Sequence, residues 1–109
     1  MESNRRTNER HTTCGLISSM WDGKSACIGI VDDVSSTGIK VSNIPTFFDL
    51  NSQKYVSIVH GPHDDIIMVL RPSWKKETSK EKYFSAGFHV LKTTSNWKKF
   101  IAETMAAKA

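Results

Sequence analysis

The sequence predicts a mostly β fold, a small six-stranded antiparallel barrel with a flexible N-terminal arm and a C-terminal α-helix. Three observations carry that reading. Apolar residues recur in six short runs separated by Gly, Pro, Asn and Asp turn signals, and no connection suits the helical crossover of a βαβ unit. Residues 2 to 13 hold no large apolar side chain and have nothing to give a core. From residue 95 the apolar period lengthens to three or four residues, the spacing of a helix face.

Taken in order, Cys14 to Trp21 is the first strand, with Leu16, Ile17 and Met20 inside it and Asp22-Gly23 following as a hairpin turn signal. Ser25 to Asp32 puts Ile28 and Ile30 on one face and Cys27 and Val31 on the other, so burial on both sides is expected. Asp32 to Gly38 then reads as a tight turn, its hydroxyls bonding nearby amides and Gly38 supplying a positive φ. Ile39 and Val41 alternate with Lys40 and Ser42 until Pro45 interrupts pairing, and Phe47, Phe48 and Leu50 are expected to plug the barrel's end.

Lys54 to His60 turns Val56 and Ile58 one way and Tyr55, Ser57 and Val59 the other. Gly61-Pro62-His63-Asp64 breaks the run, and Asp65 to Arg71 returns around Ile67 and Val69. Pro72 to Lys82 reads as a polar connection anchored by Trp74, before Tyr83 to Lys92 closes the barrel. In the terminal helix Trp97, Phe100, Ile101 and Met105 share a stripe expected to pack on the barrel, with Thr94 or Ser95 as N-cap. The whole is expected to be one domain over 1–109: an arm at 1–13, a barrel at 14–92 and a helix at 94–108.

Composition narrows the partners. At 109 residues with 39% hydrophobic and 24% charged content, the chain has enough apolar material for one modest core. A formal charge of +4 and a pI near 9.2 favour anionic partners. The densest charge cluster, Lys75 to Lys82, mixes both signs and reads as a solvated stretch rather than a nucleic-acid stripe. No run approaches the roughly 20 apolar residues of a membrane span, so no membrane insertion is expected. Two cysteines, Cys14 and Cys27, and no apolar leader point to the cytoplasm.

Catalytic and metal signatures are weak. Cys14 or Cys27 with one of His11, His60, His63 or His89 has no local motif of a thiol enzyme, and no enzymatic activity is expected. His60 and His63 with Asp64 and Asp65 fall short of a ligand spacing and read first as a turn. No metal or cofactor is expected.

The informative pattern joins two motifs. Arg6-x-x-x-Arg10 lies in the arm, and after 22 intervening residues comes Asp33-x-Ser35-x-x-Gly38. Together they resemble the PilZ domain family, whose members bind the bacterial second messenger cyclic di-GMP. The late stretch Ala86-Gly87-Phe88-His89-Val90 is also similar to that family's Gly-containing closing strand. The resemblance implies a small six-stranded barrel with an appended helix, in agreement with the strand count above.

By this resemblance Arg6 and Arg10 contact phosphates and guanine, Asp33 and Ser35 line base and phosphate, and Gly38 shapes the turn. Arg5, directly before the first motif arginine, accompanies binding of an intercalated ligand dimer in the family. The chemistry is consistent. An arginine fork matches guanine N7 and O6, or a phosphate, with two parallel charge-assisted bonds. A carboxylate such as Asp33 accepts from the N1 and N2 donors of guanine's other edge. Ser35 can donate to a phosphate or hold the turn. Ordering about ten arm residues costs on the order of 10 kcal/mol of backbone entropy, so the arm is expected to be mobile until ligand folds it across the barrel mouth. The function implied is a cyclic di-GMP receptor that signals to a downstream protein. The alternative is a PilZ-like interaction module that binds no nucleotide, while a single-stranded nucleic-acid barrel would need exposed aromatics beside a basic groove.

Overall fold

The computed structural model describes residues 11–48, 50–61, 64–77 and 82–108, with side chains described between residues 16 and 102 of those ranges. Six strands, β1 (His11–Trp21), β2 (Ala26–Val34), β3 (Gly38–Pro45), β4 (Tyr55–His60), β5 (Asp65–Glu77) and β6 (Tyr83–Thr93), precede one helix, α1 (Asn96–Lys108). They close into an antiparallel barrel in the order β1-β2-β3-β6-β5-β4, and β4 pairs back onto β1. Each strand is thereby paired on both sides over at least part of its length.

Alternation decides what fills the interior. Tyr55, Ser57 and Val59 point inward from β4, Ile66, Met68 and Leu70 from β5, and Phe84, Ala86 and Phe88 from β6. Each large apolar side chain buried this way is worth about 1.5–3 kcal/mol. Phe48, Tyr55 and Phe88 make a tilted and edge-on aromatic series with centroids 5.5 and 6.3 Å apart. Two polar groups enter the interior as a pair: Ser18 and Ser57 are fully buried with their hydroxyls 2.7 Å apart, each satisfying the other.

The helix covers one end of the barrel. Trp97 and Phe100 stack at 5.5 Å and are buried in the core, with Ile101 packed against it. Its start is tied to β5, since Asn96 Nδ2 donates to the Asp65 carbonyl and the Thr94 amide to the Ile67 carbonyl. The Thr94 hydroxyl donates to Asn96 Oδ1 rather than capping a helix amide.

Several expectations need correction. β2 is not buried on two sides: Cys27 and Val31 face the core, whereas Ile28 is 62% exposed, because the barrel is packed inside only. Ile67 and Val69 likewise face outward from β5. The polar stretch after Pro72 continues β5 to Glu77, paired with β6 down to Phe84, with irregularities between Val69 and Leu70 and between Pro72 and Trp74. Polar composition hid it because the extension from Ser73 to Glu77 is exposed on both of its faces and is held by its ladder with β6 rather than by the core. Phe48 is fully buried, but Phe47 is 68% exposed and plugs nothing. Asp32 and Asp33 belong to β2, not to the turn. Gly38 does not adopt a positive φ; among the described glycines that is Gly23, at 101° in the Asp22–Ser25 hairpin. Asp22 Oδ1 accepts from the amides of Lys24 and Ser25 there, which holds its carboxyl below the usual range.

Candidate functional site

A bulge in β2 prepares the site. Between Val31 and Asp33 the register against β3 slips by one, so two consecutive carboxylates, Asp32 and Asp33, are both half-exposed on the barrel's exterior. Asp32 is engaged, accepting from Ser42 Oγ at 3.0 Å and lying 4.0 Å from Lys40 Nζ. Asp33 pairs in register with Thr12 of β1 on one side and Lys40 of β3 on the other.

Beyond Val34 the chain reverses over Ser35, Ser36 and Thr37, and every backbone group named here has a partner. The Ser35 amide donates to the Gly38 carbonyl at 2.8 Å, and the Gly38 amide donates to Ser35 Oγ at 3.1 Å. Ser35 is buried, so of its two possible roles the one it visibly performs is holding the turn. The Thr37 carbonyl accepts from the Val90 amide at 2.8 Å, and the Ser36 carbonyl accepts from Trp97 Nε1 at 3.2 Å. Strand β6 and helix α1 therefore both grip the turn. Glycine at position 38 is required by close approach: a Cβ there would stand 2.9 Å from the Phe88 carbonyl oxygen.

Cross-strand pairing extends the site sideways. Asp33 pairs with Lys40, Lys40 with Gly87, and Gly87 with Trp74, which makes one row over four strands on the outer face. Trp74 lies directly on Gly87, where a Cβ would overlap the indole, and remains part-exposed. The neighbouring row runs Gly38, His89, Arg71. A carboxylate, two cations and an aromatic face thus share one exterior surface beside the turn.

Of the residues singled out by motif, the structure brings Asp33, Ser35 and Gly38 together. Arg5, Arg6 and Arg10 lie outside the described residues. The chain enters the barrel at His11 opposite Val34 and Thr12 opposite Asp33. Lys40, Arg71 and Trp74 were not singled out, because their proximity is made by pairing across the barrel. The available signal was Gly87, since a glycine inside a strand marks close approach of another group.

Two other constellations bear on chemistry. Ser19 Oγ lies 3.1 Å from His60 Nε2, and His60 Nδ1 lies 3.1 Å from Asp65 Oδ1, the order of a hydrolytic triad. Ser19 sits on a strand paired along both edges, however, so its surrounding amides are committed to the ladder rather than to an oxyanion. Cys27 is buried, and desolvation, with the Asp22 charge as a lesser cause, pushes its thiol up to about 11. It is protonated at neutral pH and a poor nucleophile. Among the described residues no group of three or more His, Cys, Asp and Glu is placed to hold a metal, and no helix is long and apolar enough to cross a membrane.

No protein-family model matches this sequence, and no curated protein matches it. Among solved structures the chain is similar to the Bacillus subtilis inhibitor of motility (MotI/DgrA), with a TM-score of 0.77 over 95% of this chain at 12% identity. The chain spans 51% of the length of that structure. At that identity the likeness is one of fold, a closed six-stranded antiparallel barrel followed by a C-terminal helix.

Proposed function

We propose that this protein is a non-enzymatic receptor for cyclic di-GMP that passes the signal to a protein partner in the cytoplasm. The observation that carries the reading is the register at the barrel rim: β1 begins against Val34 and Asp33, so the Arg-rich segment, whose last arginine directly precedes His11, joins the barrel beside the Asp33–Gly38 turn. The first described residues of the chain thus lie beside the turn, and the Arg motif is the segment that immediately precedes them in sequence. Arg6 and Arg10 grip phosphate and guanine edge, and Asp33 accepts from the guanine N1 and N2 donors. Ser35 and Gly38 act mainly by keeping the turn rigid. Lys40 and Arg71 add cationic charge toward the two phosphates, and the Trp74 indole offers a face on which a base can stack. Arg5 supplies a third guanidinium, and with it two intercalated ligands bind per chain. Ordering of the arm on binding reshapes the rim, and that change is what a partner reads.

Isothermal calorimetry at two salt concentrations tests the reading, with cyclic di-GMP titrated into wild type and into Arg6→Ala/Arg10→Ala. Saturable, salt-weakened binding that the double variant loses is expected, with two ligands per chain. Absence of heat at high ligand concentration overturns the proposal and leaves the nucleotide-free interaction module in its place.

A further inference from the structure

The opposite side of the barrel carries a surface that the nucleotide reading does not use. Outward positions of β1, β2, β4 and the first half of β5 are apolar, and Ile17, Trp21, Ile28, Val56 and Ile67 are all exposed. They leave roughly 500 Å² of contiguous apolar surface open, near the upper end for the largest patch on a monomer. Pairing makes them adjacent. Ile28, Ser19, Ile58 and Ile67 form one row across the four strands, and Trp21 and Val56 belong to the next.

Charge marks the two ends of this face and not its middle. Exposed Lys24 and Lys54 stand at the end of the β1–β2 hairpin, where the Asp22 carboxylate is turned inward onto its own hairpin amides. Exposed Asp64 and Asp65 stand at the other end, beside His60. The one polar side chain in the central row, Ser19, already has a partner in His60, so covering it strands no hydrogen-bonding group.

We propose that two copies of this chain associate face to face through this surface, about a two-fold axis in the contact plane and perpendicular to the strands. That arrangement lays the isoleucines of one copy on those of the other. It also brings the Lys24 and Lys54 end of each copy against the Asp64 and Asp65 end of its partner. A neutral, apolar centre is complementary to itself, as an isologous contact requires. Two such faces with their rims reach the lower part of the about 1,200–2,000 Å² of a stable interface. Residues 2 to 10 do not suit the face, because they contain no large apolar side chain. The proposal shares no residue with the nucleotide site and stands independently of it.

Sedimentation velocity of the full chain without nucleotide, from low micromolar to near-millimolar concentration, is the test. Wild type is expected to show a concentration-dependent dimer. Ile28→Lys should raise the dissociation constant by about a hundredfold, and Ile28→Thr serves the same purpose should the lysine variant misfold by circular dichroism. Lys54→Asp and Asp64→Lys should each weaken the dimer by about three- to tenfold, and the double reversal should restore it. A wild type that stays monomeric at the highest concentration overturns the proposal, as does a dimer indifferent to both substitutions at Ile28. A double reversal no tighter than the single ones overturns the antiparallel arrangement.

Discussion

Outward-facing positions on the two sides of the barrel carry opposite chemistry, although both belong to the same six strands and back onto the same core. Over β2, β3, β6 and the later half of β5 the exterior holds Asp32, Asp33, Lys40, His89, Arg71 and the Trp74 face. Over β1, the first half of β2, β4 and the early half of β5 it holds Ile17, Trp21, Ile28, Ile58 and Ile67, with a single serine in the central row. Strand β5 crosses from one chemistry to the other where its pairing with β6 slips around Pro72. The interior explains neither side. Inward positions serve stability, so the outward positions are free to carry the two contacts proposed above, a charged, stackable ligand on one side and a second apolar face on the other.

The largest effect that would break this comparison is expected at Gly87. Gly87→Ala pushes a methyl into the Trp74 indole and should cost about 1–3 kcal/mol in chemical denaturation. It should also change tryptophan fluorescence; an unchanged spectrum and stability would mean that Trp74 is not seated on Gly87. A somewhat smaller effect follows at the helix. Trp97→Phe removes the donor to the Ser36 carbonyl while keeping a ring in the core, at a cost of about 1–2 kcal/mol. Faster amide exchange confined to residues 35–38 and their β6 partner would show that the helix holds the turn, whereas uniform loss of protection would not.

Smaller still is the response to pH behind the apolar side. The Cys27 thiol is raised from about 9 to about 11 by burial, so its neutral form contributes stability that is complete below pH 9 and is lost as pH rises toward 11. Thermal melts of wild type should fall over that window, and those of Cys27→Ala should fall less. The least effect is expected on the apolar face itself, where Ile28→Lys should alter monomer stability at high dilution by no more than about 0.5 kcal/mol. A large loss would show that the face belongs to the fold rather than to a partner.

Local chemistry made much of this legible in advance. The alternation in Tyr55–His60, the Asp22-Gly23 hairpin and the helical period through Trp97, Phe100 and Ile101 each depend on residues within a few positions of one another, and each appears as read. The strand extension past Pro72 was not legible, because its polar outward residues resemble a loop until β6 is placed beside them. The need for glycine at position 38 was visible but its cause was not. The constraint is a carbonyl of Phe88, fifty residues away, and not the local backbone angle.

By itself the sequence determined the number of strands, the terminal helix and the identity of the motif residues, since periodicity, turn chemistry and side-chain type are properties of neighbours. Only the tertiary structure decided which apolar faces stay open, which strand Asp33 belongs to, and that Lys40, Gly87 and Trp74 continue its row. Those facts come from barrel closure and strand register, which place residues far apart in the chain a few ångströms from one another.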